Sequence, residues 1–269
     1  RKQVERDLQQ KADEIARANA DLQASMILQR AAEERAREGV ELRDRFLAML
    51  SHELRNPLAA ILNATRLHQE GVLDQESHEY STGVILRQSE QMARLLDDLL
   101  DVSRITRNKI EIRKQVVDLR DATRDAVEAV GPLARARAHR FHVSLPDEKV
   151  CVDGDSTRLQ QIQVNLLANA VKYTPQGGDI WTTLEVEDDE AVIRVRDNGI
   201  GIPHSMQEEI FEIFVQLDRS SGSSDGGMGV GLTLVRNLVG LHGGTVTAHS
   251  NGPGRGAEFV VRLPLASDE

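Results

Sequence analysis

"NLLANAVKYTP", residues 165–175, is the stretch on which the reading of this chain turns. Asn165, Asn169 and Lys172 fall at i, i+4 and i+7, so a helix would gather them within about 60° of one face. Asparagines on one face need partners, and two readings supply them. One is ordinary helix-to-loop hydrogen bonding. The other is a magnesium site, in which one amide oxygen and a polyphosphate complete the shell of a cation that keeps several waters. Lys172 would then act as a point charge on phosphate.

Two glycine-bearing segments lie downstream. "DNGIGIP" (197–203) ends a strand pattern and sets an acid beside two glycines. An ordinary turn is one reading. In the other, Asp197 accepts from an exocyclic amine while Gly199 and Gly201 let a flat base lie against backbone. "GGMGVGL" (226–232) contains Gly227, Gly229, Gly231 and Leu232 and runs into the apolar helix pattern "LTLVRNLVGL". Glycines permit positive φ and close backbone approach, and the free amides at a helix start bind phosphate oxygens. A flexible linker has the same composition. The segment lacks the lysine of a P-loop and does not follow a strand as a Rossmann fingerprint does.

The surrounding pattern is mixed. "KIEIRKQVVDL" (109–119) alternates like a strand, 119–138 reads as a helix, and short strands are predicted near 140–145 and 149–152. A helix from about Asp155 to Tyr173 carries the asparagines. "DIWTTLEVE" and "AVIRVRDNG" are two strands joined by the acidic turn Asp188–Asp189; after the last helix come "GTVTAHS" and "AEFVVRLP". Such an order predicts an α+β two-layer sandwich of one sheet and one helical layer over residues 109–265.

Upstream the pattern is wholly helical. Leu47, Leu50, Leu54, Ile61 and Thr65 mark one helix, "EGVLD" (70–74) a joint, and Ile85, Met92, Leu95, Leu96, Leu99, Val102 and Ile105 a second. One hairpin cannot cover both apolar stripes, so residues 41–106 are expected to pair with a second copy as a dimeric four-helix bundle. Over residues 1–40, Leu8, Ile15 and Leu22 recur every seven residues, with Ala12 and Met26 partly filling the companion seam. That predicts a parallel coiled coil, interrupted at Lys11 or Asn19 depending on register; a single solvated helix is the plainer reading.

Within the first helix, "FLAMLSHELRNPLAAI" (46–61) sets His52 about 200° around from Leu50 and Leu54, with Ala48, Asn56 and Ala59 as small neighbours. An exposed helical histidine ordinarily does nothing. Here an acid adjoins it, an amide follows one turn on, and Pro57 removes the bond owed to the Glu53 carbonyl, which bends the helix. A neutral imidazole offers a nucleophilic lone pair near neutral pH, and Glu53 is placed to take the proton of the other ring nitrogen.

Composition narrows the classes. The 269 residues carry 33 basic and 43 acidic side chains, net charge −10, and only 3% are aromatic. Nucleic-acid binders need a basic face, so no nucleic-acid partner is expected. Cys151 is the single cysteine, which excludes a disulfide framework and makes a cytoplasmic location the default. No run of 18 apolar residues occurs. Because the chain opens on Arg1, an upstream sensor segment is expected in the full-length protein, which could itself be soluble or anchored in a membrane.

"SHELRNPL" resembles the H-box of sensor histidine kinases of the HisKA type. The segments around Asn169, Asp197 and Gly229 resemble, in order and spacing, the N, G1 and G2 boxes of the GHKL (Bergerat) ATP-binding fold shared with gyrases, heat-shock ninety chaperones and mismatch-repair ATPases. "IFEIFVQLDRSSG" between them resembles the kinase F-box, which carries Phe211 and Phe214 into an ATP lid over 203–228. The resemblance spans residues 41–265. It implies autophosphorylation of His52 from Mg-ATP, with Glu53 as base, and transfer to an aspartate of a response-regulator receiver domain. Asn56 would position water for phosphatase action. Asn169 would ligate Mg²⁺, Asp197 would read adenine, Lys172 and Tyr173 would flank the nucleotide, and Gly227, Gly229 and Gly231 would follow the triphosphate. ATPases of the fold carry glutamate where this chain has Asn165, so slow hydrolysis is implied. Two departures stand out. "GRGAEF" (254–259) has Ala257 where the kinase pattern has Thr, and Met228 and Val230 replace commoner residues; both are expected to alter lid packing. The alternatives are a conformational ATPase of the same fold and a non-enzymatic dimeric scaffold.

Overall fold

The computed structural model describes residues 53–69, 74–106, 111–215 and 229–266, with scattered positions between Leu22 and Ser51. The chain divides into two units, Arg1–His52 and Glu53–Glu269. In the first unit the described residues are helical, and Leu22, Met26, Val40 and Leu47 are exposed. The expected seam residues Leu8, Ala12 and Ile15 lie outside the described residues, as does His52.

The second unit opens with a helical hairpin. Helix α1 covers 53–69 and continues through Pro57, which is buried; α2 covers Gln75–Thr106. Asp74 starts α2 by accepting the Ser77 N–H at 2.9 Å, an N-terminal cap that satisfies one orphan amide. The two helices meet where His68 Nε2 lies 2.7 Å from Ser81 Oγ and its ring stands edge-on to His78 at 4.3 Å. Ala64 and Leu95 are buried, but Leu58, Leu62, Leu67, Tyr80 and Leu86 remain exposed. Positions 70–73 of the joint lie outside the described residues.

The sandwich follows. Its elements are β1 (Gln115–Asp118), α3 (Leu119–Ala136), β2 (Arg140–Ser144), β3 (Cys151–Gly154), α4 (Ser156–Tyr173), β4 (Asp179–Glu187), β5 (Glu190–Asp197), α5 (Gly231–Leu241), β6 (Thr245–His249) and β7 (Ala257–Pro264). Five strands form one sheet in the order β2-β4-β5-β7-β6, with β2 parallel to β4 and the other pairs antiparallel. Asp188 and Asp189 both have positive φ, 46° and 65°, as a two-residue β4–β5 hairpin requires. The alternation of buried Ile180, Thr182 and Leu184 along β4 turns one face of the sheet to the helices.

The helical layer is built by caps and stripes. Asp118 caps α3 through the Arg120 N–H, and Asp155 caps α4 through the Arg158 N–H. Leu119, Ala126, Val130 and Ala134 of α3 pack with Leu159, Ile162, Leu166 and Val171 of α4 and Leu234 and Leu238 of α5 over Ile180, Ile193 and Val261 of the sheet. Each fully buried Leu or Ile contributes roughly 1.5–3 kcal/mol.

One expectation is corrected here. The alternation over 109–119 yields a strand only at Gln115–Asp118, and β1 pairs antiparallel with β3 as a separate two-stranded sheet. The reason is burial: Val117 and Val152 enter the core, whereas Val116 and residues 113–115 are exposed, leaving little apolar face to hold a longer strand. Among the described residues no helix is long and apolar enough to cross a membrane.

His242 joins the two ends of the helical layer. Buried at the end of α5, its Nδ1–H donates to the Leu238 carbonyl at 2.7 Å and its Nε2 accepts the Asp155 N–H at 3.0 Å. Burial, with help from Lys114 and against the pull of Asp155, holds its pKa below the ordinary histidine value. The unfolded chain therefore binds this proton more readily, and stability is lost as pH falls below about 6.5. The expected slope from this group approaches ~1.4 kcal/mol per pH unit. Thermal melts between pH 7.5 and 5.5 check it: the wild type should lose more than His242→Gln over that window.

Candidate nucleotide site

The helix ending at Tyr173 and the strand ending at Asp197 bring the sequence motifs together. A cleft opens between them, lined by Asn169, Tyr173, Asp197, Ile200, Gly201, Ile202, Ile210, Val215, Leu232, Ala257 and Phe259. Asn169 falls on the half-buried face of α4, because Leu166, Leu167, Ala170 and Val171 occupy the core side. The α4 end is held from the α3–β2 joint: Arg137 donates to the Lys172 carbonyl at 3.2 Å and His139 Nε2 meets the Val171 carbonyl at 3.1 Å. Both groups satisfy carbonyls that a helix end leaves unpaired. Lys172 does not line the cleft; its Nζ lies 4.9 Å from the centre of the Tyr173 ring.

Asp197 sits at the floor, 5% exposed. Burial pushes its carboxyl pKa up, opposed by backbone hydrogen bonds from Gly199 and Ala257. The Gly199 N–H donates to one carboxylate oxygen at 2.8 Å. An acid held this way between apolar walls is an acceptor with few competitors, which suits a donor on a flat heterocycle.

The loop after Asp197 is stitched on both sides. Ile200 N–H donates to the Tyr173 carbonyl at 3.1 Å, and Gly256 N–H donates to the Gly199 carbonyl at 3.1 Å. Gly201 has φ +71°, and a Cβ there would lie 2.2 Å from the Gly252 carbonyl oxygen, so only glycine fits. Ser250 ties the same loop from below: its hydroxyl accepts the Ile202 N–H at 3.0 Å and donates to the Gly256 carbonyl at 2.6 Å. Sequence reading missed Ser250, since a serine between a strand and a glycine turn looks like any other turn residue. It also missed the apolar wall, although the isoleucines that alternate with glycines at 200 and 202 were a visible signal.

The other candidates divide as follows. Asn165 stands off the cleft, beside the start of α5, where a Cβ on Gly231 would lie 3.6 Å from its Oδ1. Among the described residues the first turn of α5 has no side-chain cap, and amides at such a helix start can bind an anion. Gly229 has φ +70° and its carbonyl accepts the Phe214 N–H at 3.2 Å. Glu53 is half-buried and Asn56 exposed on α1. His52, Gly227 and Met228 lie outside the described residues.

One reading is corrected. The lid expected over 203–228 does not begin at Pro203: Ile210 and Phe211 are core residues, Phe211 packing edge-to-face on Phe259 at 6.3 Å. Gln207 also donates to the Ser250 carbonyl at 2.6 Å. Apolar burial anchors the segment as far as residue 211, and residues 216–228 lie outside the described residues. Ala257, a departure expected to alter lid packing, has a place in the cleft wall. It lines the cleft directly across the β5–β7 ladder from Asp197. Val230 is buried at the α5 start.

This sandwich and cleft define a nucleotide-binding domain of the GHKL class. Residues 154–267 match the family model described as "Histidine kinase-, DNA gyrase B-, and HSP90-like ATPase", and residues 42–108 match the "His Kinase A (phospho-acceptor) domain". The chain belongs to the histidine kinases, of which it carries the kinase core. It is 35% identical over 261 residues to hybrid signal transduction histidine kinase D of Dictyostelium discoideum, an alignment covering 94% of this chain and 16% of that one. The structure of full-length ShkA in complex with AMPPNP superposes with a TM-score of 0.62 at 31% identity, covering 82% of this chain and 46% of that one. The complex of histidine kinase ThkA with response regulator protein TrrA superposes at 0.63 and 23% identity, covering 86% and 64%. The chain thus spans less than two thirds of each.

Proposed function

We propose that the chain is the ATP-dependent kinase core of a two-component system and that it phosphorylates His52. The observation that carries this is the Asp197 floor: a buried carboxylate with one oxygen tied to Gly199, set among Ile200, Ile202, Ile210, Leu232 and Phe259. A flat base bearing an exocyclic amine matches that floor in shape and in hydrogen bonding. The α5 amides after Gly231 would take phosphate oxygens, and Asn169, with a side-chain oxygen at the cleft, would take Mg²⁺. The ion would neutralise charge on the transferring phosphoryl group.

In this reading a ring nitrogen of His52 attacks the γ-phosphorus, the bond to the β-phosphate oxygen breaks, and ADP leaves. Glu53 accepts the proton of the other ring nitrogen. The phosphoryl group then passes to an aspartate of a receiver domain, and Asn56 positions water for the separate phosphatase reaction, in which that aspartyl phosphate is hydrolysed to aspartate and inorganic phosphate. Asn165, which cannot take a proton from water, disfavours the conformational-ATPase alternative. The ThkA–TrrA complex supports a response regulator as partner. The exposed Leu58, Leu62, Leu67, Tyr80 and Leu86 support a second copy of the hairpin as the other. Domain limits of 1–40, 41–106 and 109–265 follow, the last supported by Val117, Leu119 and Val130 sharing one core with Leu166.

Incubation with γ-labelled ATP and Mg²⁺ tests the proposal. The wild type should acquire an acid-labile, base-stable label, and His52→Gln should acquire none while still binding ATP. A label surviving in His52→Gln would overturn it.

A further inference from the structure

Asp197 and Ala257 are directly paired across the antiparallel β5–β7 ladder, so their side chains leave the sheet on the same face. Both line the cleft. The corner they share is rigid: Ser250 grips the Gly256 carbonyl, and Gly256 grips Gly199. Asp197 spends one oxygen on the Gly199 N–H. The Ala257 N–H also bonds the carboxylate, so the floor presents the remaining acceptor capacity of that carboxylate and, next to it, one methyl group.

A primary exocyclic amine brings two N–H donors to that floor. Asp197 takes one, and Ala257 has nothing to offer the second. Threonine, the residue of the kinase pattern at this position, would add two heavy atoms beyond the alanine Cβ, one of them a hydroxyl. Alanine lacks both atoms at the edge of the amine. A secondary amine, with one hydrogen and one methyl, matches an acceptor beside an apolar surface, and its single added carbon is smaller than the atoms alanine omits.

We infer that Ala257 is a base-specificity residue of this cleft, which accepts an adenine nucleotide methylated on its exocyclic amine as well as ATP itself. The inference rests on the ATP-binding reading above. It concerns the occupant of the pocket floor and is separate from the chemistry at His52.

Equilibrium binding tests it, by displacement of a fluorescent nucleotide from the whole chain with Mg²⁺ present and no turnover required. Wild type should bind ATP and N6-methyl-ATP within about 3-fold of each other. Ala257→Thr should weaken N6-methyl-ATP relative to ATP by about 10-fold or more, the range one misplaced methylene commands in a closed pocket. Ala257→Ser, a smaller change, should fall between the two and guards against a threonine variant that fails to fold. Wild type that binds ATP but rejects N6-methyl-ATP by 10-fold overturns the inference and leaves the ATP reading standing. So does equal binding of both nucleotides to folded wild type, Ala257→Ser and Ala257→Thr. Failure of folded wild type to bind either nucleotide overturns both.

Discussion

Asp197→Asn is expected to abolish Mg-ATP binding, by about 100-fold or more, while leaving the protein folded. The asparagine oxygen can replace the one that accepts the Gly199 N–H at 2.8 Å. Its NH₂ group then faces the cleft, so a donor confronts the donor of the base. Losing a charge-assisted hydrogen bond and leaving buried donors unpaired together amount to about 3–4 kcal/mol, or a factor of about 100 to 1,000. Stability should move the other way. Burial raises the Asp197 pKa, so this group favours the folded state at acid pH, and that contribution disappears as pH rises through its folded pKa. At pH 7.5 the charged form is buried at a cost, which the neutral amide relieves. Melts with and without Mg-ATP check both halves: the apo variant should melt no lower than wild type, and the nucleotide-induced shift should vanish. A variant that melts lower and still binds ATP would contradict both expectations.

Gly256→Ala should be severe and Gly254→Ala mild, although the two glycines share one turn and nearly the same φ, +69° and +74°. A Cβ at Gly256 would lie 2.0 Å from the Asp197 carbonyl oxygen and 3.0 Å from the Asn198 Cα, whereas a Cβ at Gly254 meets nothing within 4 Å. The second change pays only for a left-handed alanine, about 1 kcal/mol. The first must also push β7 off β5 at Asp197, which breaks the Gly256–Gly199 and Ser250–Gly256 hydrogen bonds. A loss of about 3 kcal/mol or more is expected, with ATP affinity reduced at least about 10-fold where the variant remains folded. Urea titrations and nucleotide binding on the pair measure the difference. Equal losses would show that φ, and not the close approach, governs this turn.

Much of the fold was legible because it follows from local pattern. The helices of the sandwich and the β4–β5 hairpin came within a few residues of their observed limits, since caps at Asp118 and Asp155 and the Asp188–Asp189 turn are short-range features. The separate β1–β3 sheet was not legible. Its partner is chosen by which edge can bury Val117 and Val152, a question of packing that no window of sequence contains. At the site, Asn169, Tyr173, Asp197, Gly201 and Leu232 line one cleft. Phe211 was misplaced because an aromatic in a loop segment reads the same whether it covers a ligand or props up the wall behind it.

The sequence by itself determined which residue types could do chemistry: a histidine beside an acid, an asparagine face, an acid before glycines, and a glycine-rich helix start. Each depends on side-chain identity and a spacing of a few residues. Only the tertiary structure decided that Ala257 faces Asp197 and that Ser250 knots the two glycine turns together. Those pairings join residues some fifty to sixty positions apart, brought together by the β5–β7 register, and register is set by burial of whole strands.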